Sequence, residues 1–160
     1  MIDLSGIQIE KRGSCVPAAI YCSVKSPNNI TVIEGFVSFP SRPSLEEHTW
    51  MEIGGQVFDP TLVQFKIENP NCDISKVVRH EAKRHSARKF LYLFVCALGK
   101  KGNFWINRMR EFGVPIDEIR MEIVDLSMAH LSEQFDSTIF ELSHNARLTF
   151  DLFTEKQSVN

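Results

Sequence analysis

The sequence predicts an α+β protein folded as a single domain, and three observations carry that expectation. Residues 1–68 are rich in β-branched residues, glycine and proline, the composition of strands joined by turns. Gly54-Gly55 separates two strand-like runs, His48 to Ile53 and Gln56 to Asp59, a strong two-residue hairpin signal. From residue 73 onward, apolar side chains recur at helical spacing, so residues 73–160 read as a mainly helical remainder packed on the first part.

Each element has a local reason. Ser14 to Cys22 reads as a helix start: Ser14 is a capping residue, and Pro17 falls in the first turn, where its missing N–H is not needed. Ala18, Ala19 and Cys22 are small enough for close packing against a sheet. Thr31 to Phe39 is a strand, with Gly35 as a bulge or a point of close backbone approach. Pro40 to Ser44 reads as a loop. Ser75 to Leu98 reads as one long helix through Val78, Ala82, Ala87, Leu91 and Val95. Phe104 to Phe112 is a short helix ended by Gly113, and Pro115 opens another that runs to about Leu131. Phe135 to Phe153 is helical or mixed, with Asn145 as a break.

Composition excludes several classes. With 160 residues the chain is long enough for a core without staples. A net charge of −2 gives no general pull toward nucleic acid or anionic membrane, so neither is an expected partner. No apolar stretch reaches the roughly 18–20 residues that span a bilayer. The longest, Phe90 to Leu98, reads as buried helix. Met1 to Leu4 begins no secretory signal, so the default expectation is a cytoplasmic protein, with export into another cell by a signal-independent route as the alternative. Cys15, Cys22, Cys72 and Cys96 form no C-x-x-C pair, the histidines have no zinc-like spacing, and four free thiols are the simplest reading. No metal or cofactor is expected.

Geometry singles out one group of residues. A two-residue turn at Gly54-Gly55 sets Ile53 opposite Gln56, Glu52 opposite Val57, Met51 opposite Phe58, and Trp50 opposite Asp59. Alternation then projects His48, Trp50 and Asp59 from one face, with Asp59 a diagonal neighbour of His48. Met51, Ile53 and Phe58 take the other, apolar face. A histidine held by a carboxylate on a rigid ribbon is what a catalytic base needs to fix its tautomer. Cys15, at a helix N-terminus, has the unsatisfied N–H groups that favour a thiolate and that stabilise an oxyanion in acyl transfer.

Three stretches, in this chain order, resemble the transglutaminase-like branch of the papain-like enzymes. Gly13-Ser14-Cys15 with Ala18-Ala19 is similar to its G-x-C-x-x-x-A nucleophile helix. Val32 to Val37, containing Gly35-Phe36-Val37, is similar to the strand before the histidine. His48-Thr49-Trp50-Met51-Glu52-Ile53 followed by Val57-Phe58-Asp59-Pro60-Thr61 resembles its H-x-W-x-E … D-P-T signature. The resemblance spans residues 13–61. It implies a Cys-bearing helix packed on a small antiparallel sheet, and acyl-enzyme chemistry on an amide with Cys15 as nucleophile, His48 as base and Asp59 as its orienter. The helical remainder carries no such likeness, and the short hairpin leaves little loop for a deep groove.

Other residues carry weaker readings. Trp50 is a candidate wall of a substrate tunnel or a structural ring, and Gln8 is a candidate oxyanion donor or a surface glutamine. Glu52 is a candidate second carboxylate at the site or, as the favoured reading, a solvated edge residue, and Cys22, two helical turns from Cys15, reads as packing. Lys76, Arg79, His80, Lys83, Arg84, His85, Arg88 and Lys89 form a basic run on the expected long helix, while acidic residues collect between Asp117 and Glu141. The function expected is a cysteine-dependent amide hydrolase on a protein or peptide carboxamide, a glutamine deamidase ahead of a peptidase, with transglutamination requiring an acceptor site. The rival is a catalytically silent module of the same fold that docks an acidic protein through the basic helix.

Overall fold

The computed structural model describes residues 1–134, so the expected element at Phe135 to Phe153 lies outside the described residues. The architecture is α+β. A four-stranded antiparallel sheet has the order β3-β2-β1-β4, built from β1 (Ile30–Phe39), β2 (Arg42–Ile53), β3 (Gln56–Phe58) and β4 (Val78–Ser86). Five helices accompany it: α1 (Cys15–Lys25), α2 (Val63–Glu68), α3 (Ala87–Lys101), α4 (Asn103–Glu111) and α5 (Ile116–Gln134).

The core divides around the sheet. Ala18, Ala19, Ile20 and Cys22 of α1 are fully buried against Ile30, Val32 and Met51, with α3 and α5 closing the same cluster through Leu91, Val95, Ile119 and Ile123. Ile53 and Phe58 pack against it, as alternation required. A second, smaller cluster of Val37, Phe39, Leu62, Phe65 and Cys72 fastens α2 and its flanking loops to the sheet.

The hairpin has the expected register: Ile53 pairs with Gln56, Glu52 with Val57 and Met51 with Phe58. Gly54 and Gly55 have φ of 60° and 80°, left-handed values that glycine adopts without a Cβ penalty. Two expectations need correction. Pro40 to Ser44 is not all loop, because only Pro40-Ser41 turns and β2 begins at Arg42. Pro43 is tolerated there because the β1–β2 register is irregular between Val37 and Phe39, so a missing ladder donor costs little.

The second correction is larger. Ser75 to Leu98 is not one helix: Ile74–Lys76 is a single 3₁₀ turn, Val78–Ser86 is the edge strand β4, and the helix starts only at Ala87. Ser86 marks the boundary, its hydroxyl accepting the Lys89 N–H at 3.2 Å. The basic run is therefore no helix face. Lys83 and Arg84 lie on an exposed strand edge, where charge discourages pairing with another chain. Much of it is also spent internally: Arg84 on Glu52 and Glu81, His85 on Glu34, and Arg88 at 3.8 Å from Glu133 of α5. The basic surface that remains is a strand edge and not a helix face.

Candidate active site

Cys15 is the first residue of α1, and the turn before it determines what its sulfur meets. Ser14 occupies the capping position but does not cap; its buried hydroxyl donates to the Ile9 carbonyl at 2.8 Å. Val16 lies in the first turn, where amides have no intrahelical acceptor, so its N–H is available to the thiol. Gly13, at φ 81°, donates its N–H to Gln64 Oε1 at 2.9 Å, while Gln64 Nε2 donates to the Thr61 carbonyl at 2.9 Å. One buried glutamine thus ties the cysteine loop to the turn that follows Asp59.

His48 and Asp59 meet as the hairpin geometry predicts. His48 Nε2 lies 2.9 Å from Asp59 Oδ1, and both side chains are nearly sealed from solvent. The ring is clamped by Trp50, stacked at 6.2 Å between centroids, and by Phe65, edge-on at 5.3 Å. With Nε2 committed to Asp59, Nδ1 remains: it is buried without a hydrogen-bond partner, and besides Asp59 the Cys15 thiol is the group whose proximity raises the ring's pKa. β3 pairs only with Met51–Ile53, so β2 has no strand neighbour on that side at Thr49, and the Thr49 N–H reaches Cys15.

The two groups bias each other. Burial opposes a charged thiolate, but the neighbouring His48 imidazole, with the N–H groups of Thr49 and Val16, outweighs it and lowers the Cys15 pKa. Burial likewise opposes an imidazolium, yet Asp59 and Cys15 together raise His48 to about 9. Opposite shifts in one pair favour the thiolate–imidazolium form. Cys22 is the contrast: buried without a partner, its thiol is pushed up to about 12.

Arg79 was hidden within the expected basic helix. From β4, its Nε and Nη2 donate to Asp59 Oδ2 at 3.2 and 2.8 Å, so the carboxylate holds His48 on one oxygen and Arg79 on the other. Only the folded sheet brings residues 20 apart together here, and no local pattern announces it. Asp59 is 3% exposed and the Arg79 side chain 23%, so Arg79→Met leaves a buried carboxylate short of donors and should cost about 2–4 kcal/mol. Urea denaturation of Arg79→Met, Asp59→Ala and the double variant checks this: the double variant should lose clearly less than the sum.

Two further candidates fall elsewhere. Gln8 is exposed, engaged through its backbone with Phe112 and Lys11, and lines neither cleft at Cys15. Trp50 is 3% exposed and sits behind His48 rather than in a cleft; the aromatic residues lining the larger cleft are Phe36 of β1 and Trp105 of α4. Glu52 holds Arg84 at the sheet surface. Two clefts, of about 540 and 510 Å³, open at Cys15. Among the described residues no cluster of three or more His, Cys, Asp or Glu is placed to hold a metal ion, and no helix is long and apolar enough to cross a membrane. No family model, curated protein or solved structure matches the chain.

Proposed function

We propose that this protein is a cysteine-dependent amide hydrolase of the papain-like, transglutaminase-like kind, and that its reaction is deamidation of glutamine in a protein substrate in preference to peptide cleavage. The observation that carries the reading is Cys15, at the start of α1, lining the same cleft as a buried His48 whose Nε2 is held 2.9 Å from Asp59 Oδ1. The Cys15 thiolate attacks the carboxamide carbon, and the oxyanion so formed takes hydrogen bonds from backbone N–H groups at the start of α1. Imidazolium His48 gives its proton to the departing nitrogen as the C–N bond breaks, releasing ammonia and leaving a thioester. Neutral His48 then takes a proton from water, hydroxide oxygen adds to the thioester carbon, and the thiol departs as carboxylate product forms. Asp59 holds Nε2 throughout, so Nδ1 moves the proton.

Alkylation tests the activated thiol without a substrate. Cys96 is exposed and serves as the internal standard, while Cys22 and Cys72 are buried. At neutral pH iodoacetamide should modify Cys15 about tenfold or more faster than Cys96, read by mass spectrometry of the two peptides. The Cys15 rate should climb through a pKa below the ordinary thiol value and then level off, since a lowered pKa means the thiolate is already present at lower pH. Hydrolysis should in addition fail as pH rises through about 9, where His48 loses the proton it must donate. Equal labelling of Cys15 and Cys96 would sink the proposal. With candidate proteins as substrates, an amide-to-acid mass change absent with Cys15→Ala identifies deamidation, whereas fragments identify cleavage.

A further inference from the structure

The two clefts at Cys15 share four lining residues, Gly13, Cys15, Glu47 and Arg108, so Arg108 stands at their junction beside the thiol. Most charged residues around it are already committed. Glu34 bonds His85 at 2.7 Å, Arg12 meets Glu68 at 3.3 Å, and Glu46 takes Arg42 at 2.9 Å. Arg108 is different. Among the described residues its side chain makes no hydrogen bond and no ion pair, whereas the side chains of the other described arginines each have a partner. Glu111, the neighbouring carboxylate on α4, is taken by Lys11 at 2.5 Å.

The guanidinium is nonetheless held in place. Its carbon lies 5.0 Å from the centroid of the fully buried Phe112 ring, and it packs so closely over Gly13 that any side chain there would overlap Nη2. The contact with the ring face steadies the group and leaves its donors unspent. A fixed, planar cation with free donors, half-buried beside a nucleophile, matches a carboxylate in geometry and charge. Glu47, which carries no ion pair among the described residues, lines the same junction, so a substrate carboxylate meets one like charge beside the cation and has to sit on the Arg108 side.

We infer that Arg108 is a specificity-determining residue that binds a substrate carboxylate next to the carboxamide attacked by Cys15, so that the favoured substrates are glutamines flanked by acidic side chains. This rests on the amide-hydrolase reading, and it goes further by naming the sequence class of the substrate.

Small alkylating agents test it. Iodoacetate and iodoacetamide differ chiefly in a carboxylate, and the ratio of their rates at Cys15 in low-salt buffer reports the cation that this carboxylate meets. In Arg108→Gln the iodoacetate/iodoacetamide ratio should fall by about fivefold or more relative to wild type, with Arg108→Lys between the two. A ratio unchanged in Arg108→Gln, while iodoacetamide still selects Cys15 over Cys96, overturns the Arg108 assignment and leaves the hydrolase reading standing. Loss of that selectivity in wild type brings both down. A second measurement needs no variant: peptides with Glu-Gln-Glu, Ala-Gln-Ala or Lys-Gln-Lys centres are compared as protectants of wild-type Cys15 against iodoacetamide. The Glu-flanked peptide should protect at the lowest concentration, and equal protection by the Ala- or Lys-flanked peptide overturns the inference.

Discussion

Cys15→Ala should abolish turnover outright, and His48→Ala should come close to it, because in the proposed reaction the first removes the atom that forms the thioester and the second removes both acid and base. The loss expected for His48→Ala is about 10²–10⁴-fold in kcat, the range of general acid–base catalysis, plus whatever the thiol loses in nucleophilicity. That second part is measurable alone. Without the imidazole, Cys15 keeps the Thr49 and Val16 N–H groups but loses the largest influences that lower its pKa, while its burial persists. Its alkylation profile should then move to or above the ordinary thiol range, where about a few per cent at most is ionised at neutral pH. A profile that stays put after His48→Ala would break the pairing on which the mechanism depends. Asp59→Asn belongs to the same series with a smaller effect of about 10- to 10⁴-fold, since an amide oxygen still accepts from the imidazole N–H. It also weakens the bonds from Arg79, so a melt of each variant separates lost chemistry from lost fold.

How much of this was legible in the sequence depends on how local the cause was. The hairpin was legible because Gly54-Gly55 sets a two-residue turn, and a two-residue turn fixes register and face; His48 against Asp59 followed from parity alone. The helices α4 and α5 were legible from their terminal signals, Gly113 at φ 78° and Pro115. β4 was not. Its only apolar residues, Val78 and Ala82, sit four apart and mimic a helical stripe, whereas the strand exists because β1 offers it an open edge. The signal that could have corrected this was Ser86, a capping residue directly ahead of Ala87, Phe90, Leu91, Phe94 and Val95. Misplacing β4 concealed Arg79, and no local pattern could have linked Gln64 to Gly13 or set Arg108 beside Cys15. Those contacts belong to the tertiary fold.

Gly35→Ala should be among the most destabilising single-methyl changes in this chain, because Gly35 lies where β4 comes closest to β1. The pairing slips between Glu34 and Gly35: Glu34 faces Lys83 but Gly35 faces Glu81, leaving Ala82 as the extra residue of a bulge. The bulge presses the His80 carbonyl onto Gly35, so a Cβ there would overlap that oxygen, and on its other side it would meet Trp50 Cη2 at 3.1 Å. The His80 oxygen is backbone and cannot rotate away, and Trp50 is wedged against His48. The methyl therefore has to push β4 off the sheet, taking Arg79 from Asp59 and Lys83 from the wall of the cleft. A cost of about 3–5 kcal/mol follows from overpacking combined with broken ladder and carboxylate bonds. Gly55→Ala is the control: at φ 80° with open space around it, it bears only the left-handed backbone penalty of about 1–2 kcal/mol. Denaturation midpoints of the two variants decide the matter. If Gly35→Ala loses no more than Gly55→Ala, β4 has room to move at Gly35, and the bulge is not what positions Arg79 on the Asp59 carboxylate.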